Sequence, residues 1–248
     1  MSCNLKNSIR LSAALIVAAT LMTQSCRAAP AHALSDALIR YAKLDYATAH
    51  HLLRPLADDG DAVAQEVLGF MHLNGEGVPR DDAAAFQWFT RAANAGRTEA
   101  QFALGRMYRD GLGVTPDREA ALLWLRRAAE QGETDACNSL GELYLGSSGV
   151  PADHKTALEW FFRAAEDGSA RAMYNIGLRY AEGQGVDRDE IEAFKWFVLA
   201  YGEAVGPLRD SVASARVSLA ARLMPLQVQI GLDRAREWTR AHHANQVQ

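Results

Sequence analysis

The sequence is poor in cysteine. Its 248 residues include three, of which Cys3 and Cys26 stand near the N-terminus and Cys137 lies in the interior of the chain. If an N-terminal segment is removed on export, Cys137 is the single cysteine left, which excludes an intramolecular disulfide framework. Stability must then come from packing, and we expect Cys137 to fill a small apolar position rather than to act as a nucleophile.

The sequence also lacks the short motifs of the common enzyme classes. It contains no GxSxG, no HExxH and no P-loop, and the GxG at Gly75–Gly77 lacks the preceding strand and the third glycine of a dinucleotide loop. The pairs His50–His51 and His242–His243 are adjacent, so on a helix their side chains diverge by about 100° and are not expected to chelate one metal ion. We therefore predict no enzyme activity, no catalytic residue, no cofactor and no metal site.

No strong charge bias is present. The formal net charge is −4, and the 26 lysine and arginine residues are scattered along the chain rather than clustered. A face that binds nucleic acid normally carries grouped Lys and Arg side chains. The composition therefore argues against a nucleic-acid partner.

Apolar runs long enough to span a membrane are missing as well. The longest, Leu11 to Met22, follows Lys6 and Arg10 and is followed by small residues at Ala28 and Ala29. About 20 residues are needed to cross the hydrocarbon core, so this layout predicts a cleaved secretory signal peptide over residues 1–29 and export to the bacterial periplasm, with no transmembrane span after cleavage. Because Thr23 stands where a lipoprotein signal has an aliphatic residue, a lipid anchor at Cys26 is not expected.

What the chain does contain is a repeat of 36 residues. Glycines recur at two places in the period and a tryptophan at a third. These landmarks predict four units, 61–96, 97–132, 133–168 and 169–204. The residues in register are Gly69, Gly105, Gly141 and Gly177; Gly77, Gly113, Gly149 and Gly185; and Trp88, Trp124, Trp160 and Trp196.

Each unit reads as two amphipathic helices joined by a glycine-rich turn. A glycine in the middle of a helix costs about 1 kcal/mol relative to alanine, so the first glycine of each unit predicts close approach of the paired helix. The aspartates at 81, 117, 153 and 189 are predicted to cap the second helices, and the tryptophans to lie in the core.

The ends of the array depart from the period. Residues 30–60 keep part of the pattern without the turn glycines, which predicts a degenerate N-terminal half-repeat that acts as a cap. Residues 205–248 predict two capping helices and a polar tail that frays from His242 onward. The expected apolar stripes are Leu208, Val212, Ala215, Leu219 and Leu223 on one helix and Val228, Leu232, Ala235 and Trp238 on the next.

The pattern AxxxLGxxYxxGxGVxxDxxxAxxWxxxAAxxG resembles the Sel-one-like repeat, a longer relative of the tetratricopeptide repeat. His72, which replaces the family's tyrosine, and Ser147, which replaces a turn glycine, are departures. The resemblance implies an all-α, right-handed α-solenoid that binds a protein or peptide along a concave groove lined by the first helices. Exported bacterial members resemble adaptors and regulators. A branch associated with β-lactams carries paired cysteines that are absent here.

We therefore expect a non-enzymatic scaffold or regulator with a protein or peptide partner. A β-lactam-binding or hydrolysing envelope enzyme and a module that binds cell wall or polysaccharide are the alternatives. The candidate groove residues are those on the first helices that do not recur. They are Glu66, Phe70, Glu99, Phe102, Arg106, Arg109, Asn138, Glu142, Arg171, Tyr174 and Leu178.

Overall fold

The computed structural model describes residues 28–146 and 152–246, with side chains described for residues 32–146 and 152–242. Every regular element in these ranges is an α-helix, which confirms the all-α class. The predicted signal peptide up to residue 27, Cys26, and residues 147–151 of the third turn lie outside the described residues. The twelve helices of the described part are α1 (Ala28–Ala42), α2 (Tyr46–Asp58), α3 (Ala62–Asn74), α4 (Asp82–Asn94), α5 (Thr98–Asp110), α6 (Arg118–Glu130), α7 (Thr134–Tyr144), α8 (His154–Glu166), α9 (Ala170–Glu182), α10 (Glu190–Glu203), α11 (Gly206–Ala220) and α12 (Pro225–Gln246).

The chain forms two compact units, which divide between Trp124 and Leu125. In the first unit, α1 packs on α2, α2 on α3, α3 on α4 and α4 on α5. In the second, α7 packs on α8, α8 on α9, α9 on α10, and α10 on both α11 and α12. Packing of each helix on its neighbours in sequence is the arrangement of a helical-repeat solenoid, the predicted fold class.

The mid-helix glycines mark where the two helices of a repeat come closest. A Cβ atom at Gly69 would lie 2.7 Å from the ring of Phe89, and a Cβ at Gly141 would lie 2.4 Å from the ring of Phe161. Gly177 stands in the same relation to Phe197, at 2.5 Å. The predicted close approach is confirmed at these three positions, and the group that fills the space is the residue after the tryptophan.

The glycine-rich turns require glycine for two reasons. Gly75 ends α3 with φ of 70°, a left-handed conformation that side chains rarely adopt. Gly77 also has positive φ, and a Cβ there would lie 2.7 Å from the backbone carbon of Tyr46. The second glycine therefore lets the turn lie directly against the start of α2.

The four repeat aspartates cap the second helices, as predicted. Each carboxylate accepts a hydrogen bond from the backbone N–H three residues later. The distances are 2.9 Å from Ala84 to Asp81, 3.0 Å from Ala120 to Asp117, 3.0 Å from Thr156 to Asp153 and 2.9 Å from Glu192 to Asp189.

The prediction that all four tryptophans lie in the core is correct for two of them. Trp88 and Trp196 are buried, whereas Trp124 and Trp160 are half-buried. The residue that follows each tryptophan is the fully enclosed one, with Phe89 and Phe161 both at 0% exposure. An indole is large enough that one edge commonly remains at the surface, while the smaller ring fits the interior completely.

The terminal helices complete the two cores. In the first unit, Leu34 and Leu38 of α1 are buried in one cluster with Leu53 and Leu68. The turn between α1 and α2 has no glycine, and Leu44 adopts φ of 66° there. All residues of the two predicted C-terminal stripes are buried or packed against the core. The helix α12 extends to Gln246, and the ring of His242 stacks on Trp238 with centroids 4.7 Å apart.

Candidate functional site

The eleven predicted groove residues lie on the first helices of the repeats, α3 and α5 in the first unit and α7 and α9 in the second. The structure separates them into interior residues and surface residues.

Glu66 of α3 lies in the interior of the first unit. It is 1% exposed, and its carboxylate accepts hydrogen bonds from Nε and Nη2 of Arg97 at 3.1 and 2.9 Å. Burial raises the pKa of Glu66, and the hydrogen bonds from Arg97 oppose that shift. Such a bidentate pair joins one repeat to the start of the next, so Glu66 is not available to a partner.

The other candidates of the first unit remain at or near the surface. The Phe70 ring packs edge-on against Phe89, with centroids 4.8 Å apart, and is half-buried. Phe102 is half-buried on α5, and the guanidinium of Arg106 lies 5.7 Å from its ring centroid. This spacing of one helical turn forms a cation–π pair on the α5 surface.

The two remaining charged candidates of this unit pair with near neighbours in sequence. Glu99 lies 3.6 Å from Arg97, and Arg109 donates to Asp110 at 2.7 Å. Both pairs are partly solvated, so each contributes about 0–1 kcal/mol to stability. These residues therefore add charge to the surface around Phe102 but stabilise it little.

In the second unit, Asn138 repeats the role of Glu66 with different chemistry. Its side chain is 3% exposed, and its amide donates to the Ser169 hydroxyl at 2.7 Å and to the Thr134 carbonyl at 3.3 Å. Arg97 and Ser169 are the residues directly before α5 and α9. In both units, therefore, a first-helix side chain bonds to the residue that precedes the next first helix.

The other candidates of the second unit form an ion pair and an apolar contact. Glu142 and Arg171 lie 3.5 Å apart with largely solvated side chains. The Tyr174 ring lies 5.7 Å from that of Phe197, and Leu178 is partly buried against the same cluster. Arg171 and Glu142 are thus accessible, whereas Tyr174 and Leu178 contribute to the core of this unit.

A metal site was predicted to be absent, and the described ranges bear on that prediction directly. No cluster there contains three His, Cys, Asp or Glu side chains placed to hold a metal ion. Cys137 is 4% exposed, and burial raises the pKa of its thiol, which disfavours the reactive thiolate. Its position among apolar neighbours agrees with the predicted filler role. No helix in residues 28–146 and 152–246 combines the length and apolarity needed to cross a membrane.

Comparison with known protein families identifies the 36-residue repeat. The profile of the Sel1 repeat matches residues 62–96, 98–133, 134–169 and 170–201, together more than half of the chain. The chain belongs to the Sel1 repeat family. Proteins of this family generally mediate protein–protein interactions and are typically not enzymes.

Solved structures with the Sel1 repeat fold resemble this chain over most of its length. A Sel1 repeat protein from Oxalobacter formigenes is 32% identical over 72% of this chain and 74% of its own, with a TM-score of 0.64. A putative Sel1 repeat protein from Klebsiella pneumoniae is 22% identical over 74% of this chain and 89% of its own, with a TM-score of 0.48, too low to bear on function. Curated protein sequences give no significant match.

The Sel1 repeat frame explains which residues recur but not which side chains join successive repeats. Arg97 and Ser169 were absent from the predicted set because that set was drawn from residues on the first helices, and these two stand directly before them. A usable signal does exist in the spacing, since Glu66 to Arg97 and Asn138 to Ser169 are both separated by 31 residues. Complementary polar residues at this separation would have identified both contacts.

Proposed function

We propose that this Sel1 repeat protein is a non-enzymatic scaffold of the bacterial periplasm that binds a protein or peptide partner through the surface of α5. The observation that carries the proposal is the pair formed by Phe102 and Arg106, 5.7 Å apart and half-exposed. Aromatic residues and arginine are enriched in protein interfaces, where a few such side chains carry most of the binding energy.

The register of Phe102 supports this choice of surface. Glu66, Phe102 and Asn138 occupy the same place in three successive repeats. Glu66 and Asn138 are buried, and each bonds to the residue before the next first helix, whereas the Phe102 ring remains half-exposed. Tyr174, at this place in the fourth repeat, packs against Phe197, whereas the half-exposed Phe102 ring contacts Arg106 and is available for a partner.

Charges around Phe102 define the kind of partner. Arg106 and Arg109 stand on the same helix as Phe102, and Glu99 stands one turn before it. A partner helix or extended segment with one apolar anchor and flanking acidic groups would complement this surface. We exclude Glu66 and Asn138, which are buried, and Phe70, which packs against the core of the first unit. Glu142 and Arg171 form a second exposed patch. Tyr174 and Leu178 pack against the core of the second unit and are not part of the proposed surface.

Site-specific photocrosslinking tests the proposal in cells that express the full chain. A benzophenone amino acid at position 102 should give a discrete adduct with another protein, and the same group at Leu123 should not. Leu123 is a suitable control because it is 48% exposed on α6. The unlabelled Phe102→Ala variant should lose about tenfold or more in affinity for the captured protein, the range of an interface hot spot, with unchanged helical content. Equal adducts from both positions would refute the assignment of this surface.

Export is tested separately. A fusion of the full chain to a reporter enzyme that is active only outside the cytoplasm should show activity, and removal of residues 1–29 should abolish it. If the fusion without these residues is equally active, the proposed signal peptide is wrong. The result does not depend on the surface of α5.

A further inference from the structure

An open cleft of about 670 Å³ lies in the first unit, away from the surface of α5. Its walls are formed by His50 and Arg54 of α2, His72 in the last turn of α3, and the segment Val78 to Asp82 that leads into α4. None of these residues belongs to the predicted groove. The volume is within the range of about 300–1,000 Å³ that is typical of small-ligand sites.

Two histidines form part of this cleft and pack against each other edge-on. Their ring centroids are 5.8 Å apart, with an interplanar angle of 77°. The next repeat has the same ring pair, built from Phe86 and Tyr108 at 5.3 Å and 84°. His50 and His72 stand 36 residues before Phe86 and Tyr108, so the two histidines take the places of this aromatic pair and keep its edge-on geometry.

The replacement introduces polar atoms that packing does not require. Nε2 of His50 and Nδ1 of His72 are buried and have no hydrogen-bond partner within the described residues. An unsatisfied buried polar group costs about 1–3 kcal/mol, whereas the Phe and Tyr of the next repeat form the same edge contact without this cost. Structural stability alone does not account for the pair.

The charged groups around the rings are unequally engaged. Asp81 caps Ala84, and Asp82 accepts both hydrogen bonds of Arg80, at 2.7 and 3.0 Å. Arg54 donates from Nε to Asp58 at 2.9 Å, and its guanidinium lies 5.2 Å from the centroid of Trp88. Its two terminal nitrogens donate no hydrogen bond in the part of the chain that is described. Asp82 is therefore fully paired with Arg80, Asp81 uses one carboxylate oxygen for its cap, and Arg54 keeps its two terminal nitrogens available.

We propose that this cleft binds a carboxylate of an acidic peptide, with Arg54 as the anchor and the His50–His72 pair as a proton-linked second contact. The terminal nitrogens of Arg54 match a carboxylate in geometry and charge. Val78 and Pro79 form the apolar part of the wall and contact the aliphatic portion of the acidic side chain. The inference is independent of the α5 surface, with which it shares no residue.

Binding of an anion here is coupled to protonation. Burial is the largest cause that lowers the pKa of His50, and the neighbouring His72, Arg54 and His51 lower it further. Burial also lowers the pKa of His72, with Asp81 opposing the shift and Arg54 adding to it. A carboxylate beside Arg54 offsets the positive charge, so the bound state takes up protons more readily than the free state. Affinity must then rise as the pH falls.

A cation fits this cleft less well than an anion. Its walls carry Arg54 and Arg80 together with Asp81 and Asp82, so their formal charges balance, and the two imidazoles are not joined by a third ligand in the described residues. A divalent metal with two protein ligands and two nearby guanidinium groups would be bound weakly. The lack of a third ligand disfavours a metal ion, and the available terminal donors of Arg54 favour a carboxylate.

Titration of the full chain with short peptides tests the proposal at 150 mM salt. The probes are an acetylated tetraglutamate amide, a tetraglutamine amide of the same length, and tetraalanine with a free C-terminal carboxylate, with the ring signals of His50 and His72 followed by NMR. Tetraglutamate should bind about three- to tenfold more tightly at pH 6 than at pH 8, because a shift of one pKa unit changes affinity by up to tenfold. Tetraglutamine should not bind. Binding of tetraalanine would identify a chain terminus as the natural source of the carboxylate.

Three variants separate the roles of the side chains. Arg54→Gln should weaken tetraglutamate binding at least tenfold, and Arg91→Gln should change it less than twofold. The control is well matched, because Arg91 lies over the same Trp88 ring at 4.7 Å but does not line the cleft. The double variant His50→Phe, His72→Tyr restores the ring pair of the next repeat, so it should fold normally, and its affinity should vary less than twofold between pH 6 and 8.

Several outcomes overturn the proposal. These are the absence of tetraglutamate binding at pH 6, tighter binding at pH 8, and equal losses from Arg54→Gln and Arg91→Gln. If Zn²⁺ shifts the two ring signals and none of the peptides does, the cleft binds a cation and not a carboxylate. If the affinity of the double variant still depends on pH, the two histidines are not the groups that couple binding to protonation.

Discussion

Substitution of Gly141 by alanine tests the physical basis of the repeat most directly. Alanine at this place in α7 gains about 1 kcal/mol of helix propensity. The new Cβ, however, would lie 2.4 Å from the Phe161 ring, where ordinary contacts begin at 3.4 Å. The ring or the helix must therefore move by about 1 Å in a close-packed interior.

The expected result is a net loss of stability. Phe161 is fully buried, so the strain should approach the upper end of the overpacking range of about 1–3 kcal/mol. After the propensity gain is subtracted, the free energy of unfolding should fall by about 2 kcal/mol. For a chain of this size the corresponding decrease in Tm is about 4–8 °C. Circular dichroism measures the first quantity in a urea titration and the second in a thermal melt.

A matched control substitution should change the free energy of unfolding in the opposite direction. Gly202 lies in the last turn of α10, and a Cβ there would meet nothing within 4 Å. Gly202→Ala should therefore stabilise the protein by about 0.5 kcal/mol through propensity alone. Adding Phe161→Leu to Gly141→Ala should recover part of the loss, since the smaller side chain makes room for the new methyl group. Equal stabilisation by Gly141→Ala and Gly202→Ala would refute close helix approach as the reason for the glycine.

Four other measurements test separate parts of the structure. Leu44→Gly should raise the free energy of unfolding by about 1 kcal/mol in urea titrations, because Leu44 holds a left-handed φ of 66° that glycine adopts without strain; a loss would contradict this. Glu66→Ala should lower the same free energy by about 2–3 kcal/mol and Glu66→Gln by less, since only the former leaves Arg97 without an acceptor; equal losses would show that the hydrogen bonds are unimportant. The histidine pair should make stability depend on pH. The folded-state pKa values of His50 and His72 lie below the unfolded value of 6.5, so the unfolded chain binds more protons, and stability present above about pH 6.5 is lost as the pH falls; the double variant His50→Phe, His72→Tyr should lose less between pH 7.5 and 5.5. Cys137 should react with iodoacetamide at least about a hundredfold more slowly in the native protein than in urea, and rapid native labelling would show that its helix opens.

Much of the fold could be predicted because repeated residues are those that pack. The 36-residue spacing identified helix pairs, glycine-rich turns and capping aspartates, and the last of these are present at all four positions. Periodicity is informative in such a chain, since each repeat buries the same positions against its neighbours. The same reasoning overestimated the burial of Trp124 and Trp160, because residue type alone does not state which part of a large ring reaches the surface.

The candidate site was predicted less well, because the residues that carry function are those that do not recur. Variation at one place in the period selected Glu66, Phe102 and Asn138 alike. The structure distinguishes them by partner, since Glu66 bonds to Arg97 and Asn138 to Ser169. A sequence lists the acceptor and the donor separately, and only their spatial pairing shows that the residue is structural.

The histidine cleft shows the same division between sequence and tertiary structure. The sequence by itself determined the helical repeat, the turn glycines and the family, because these follow from local spacing and from residue types that every unit needs. The pairing of His50 with His72, 22 positions away in the chain, was decided by the packing of α2 on α3. Adjacent histidines in sequence diverge on a helix, whereas histidines on two packed helices converge, so the chemistry of this cleft exists only in the folded chain.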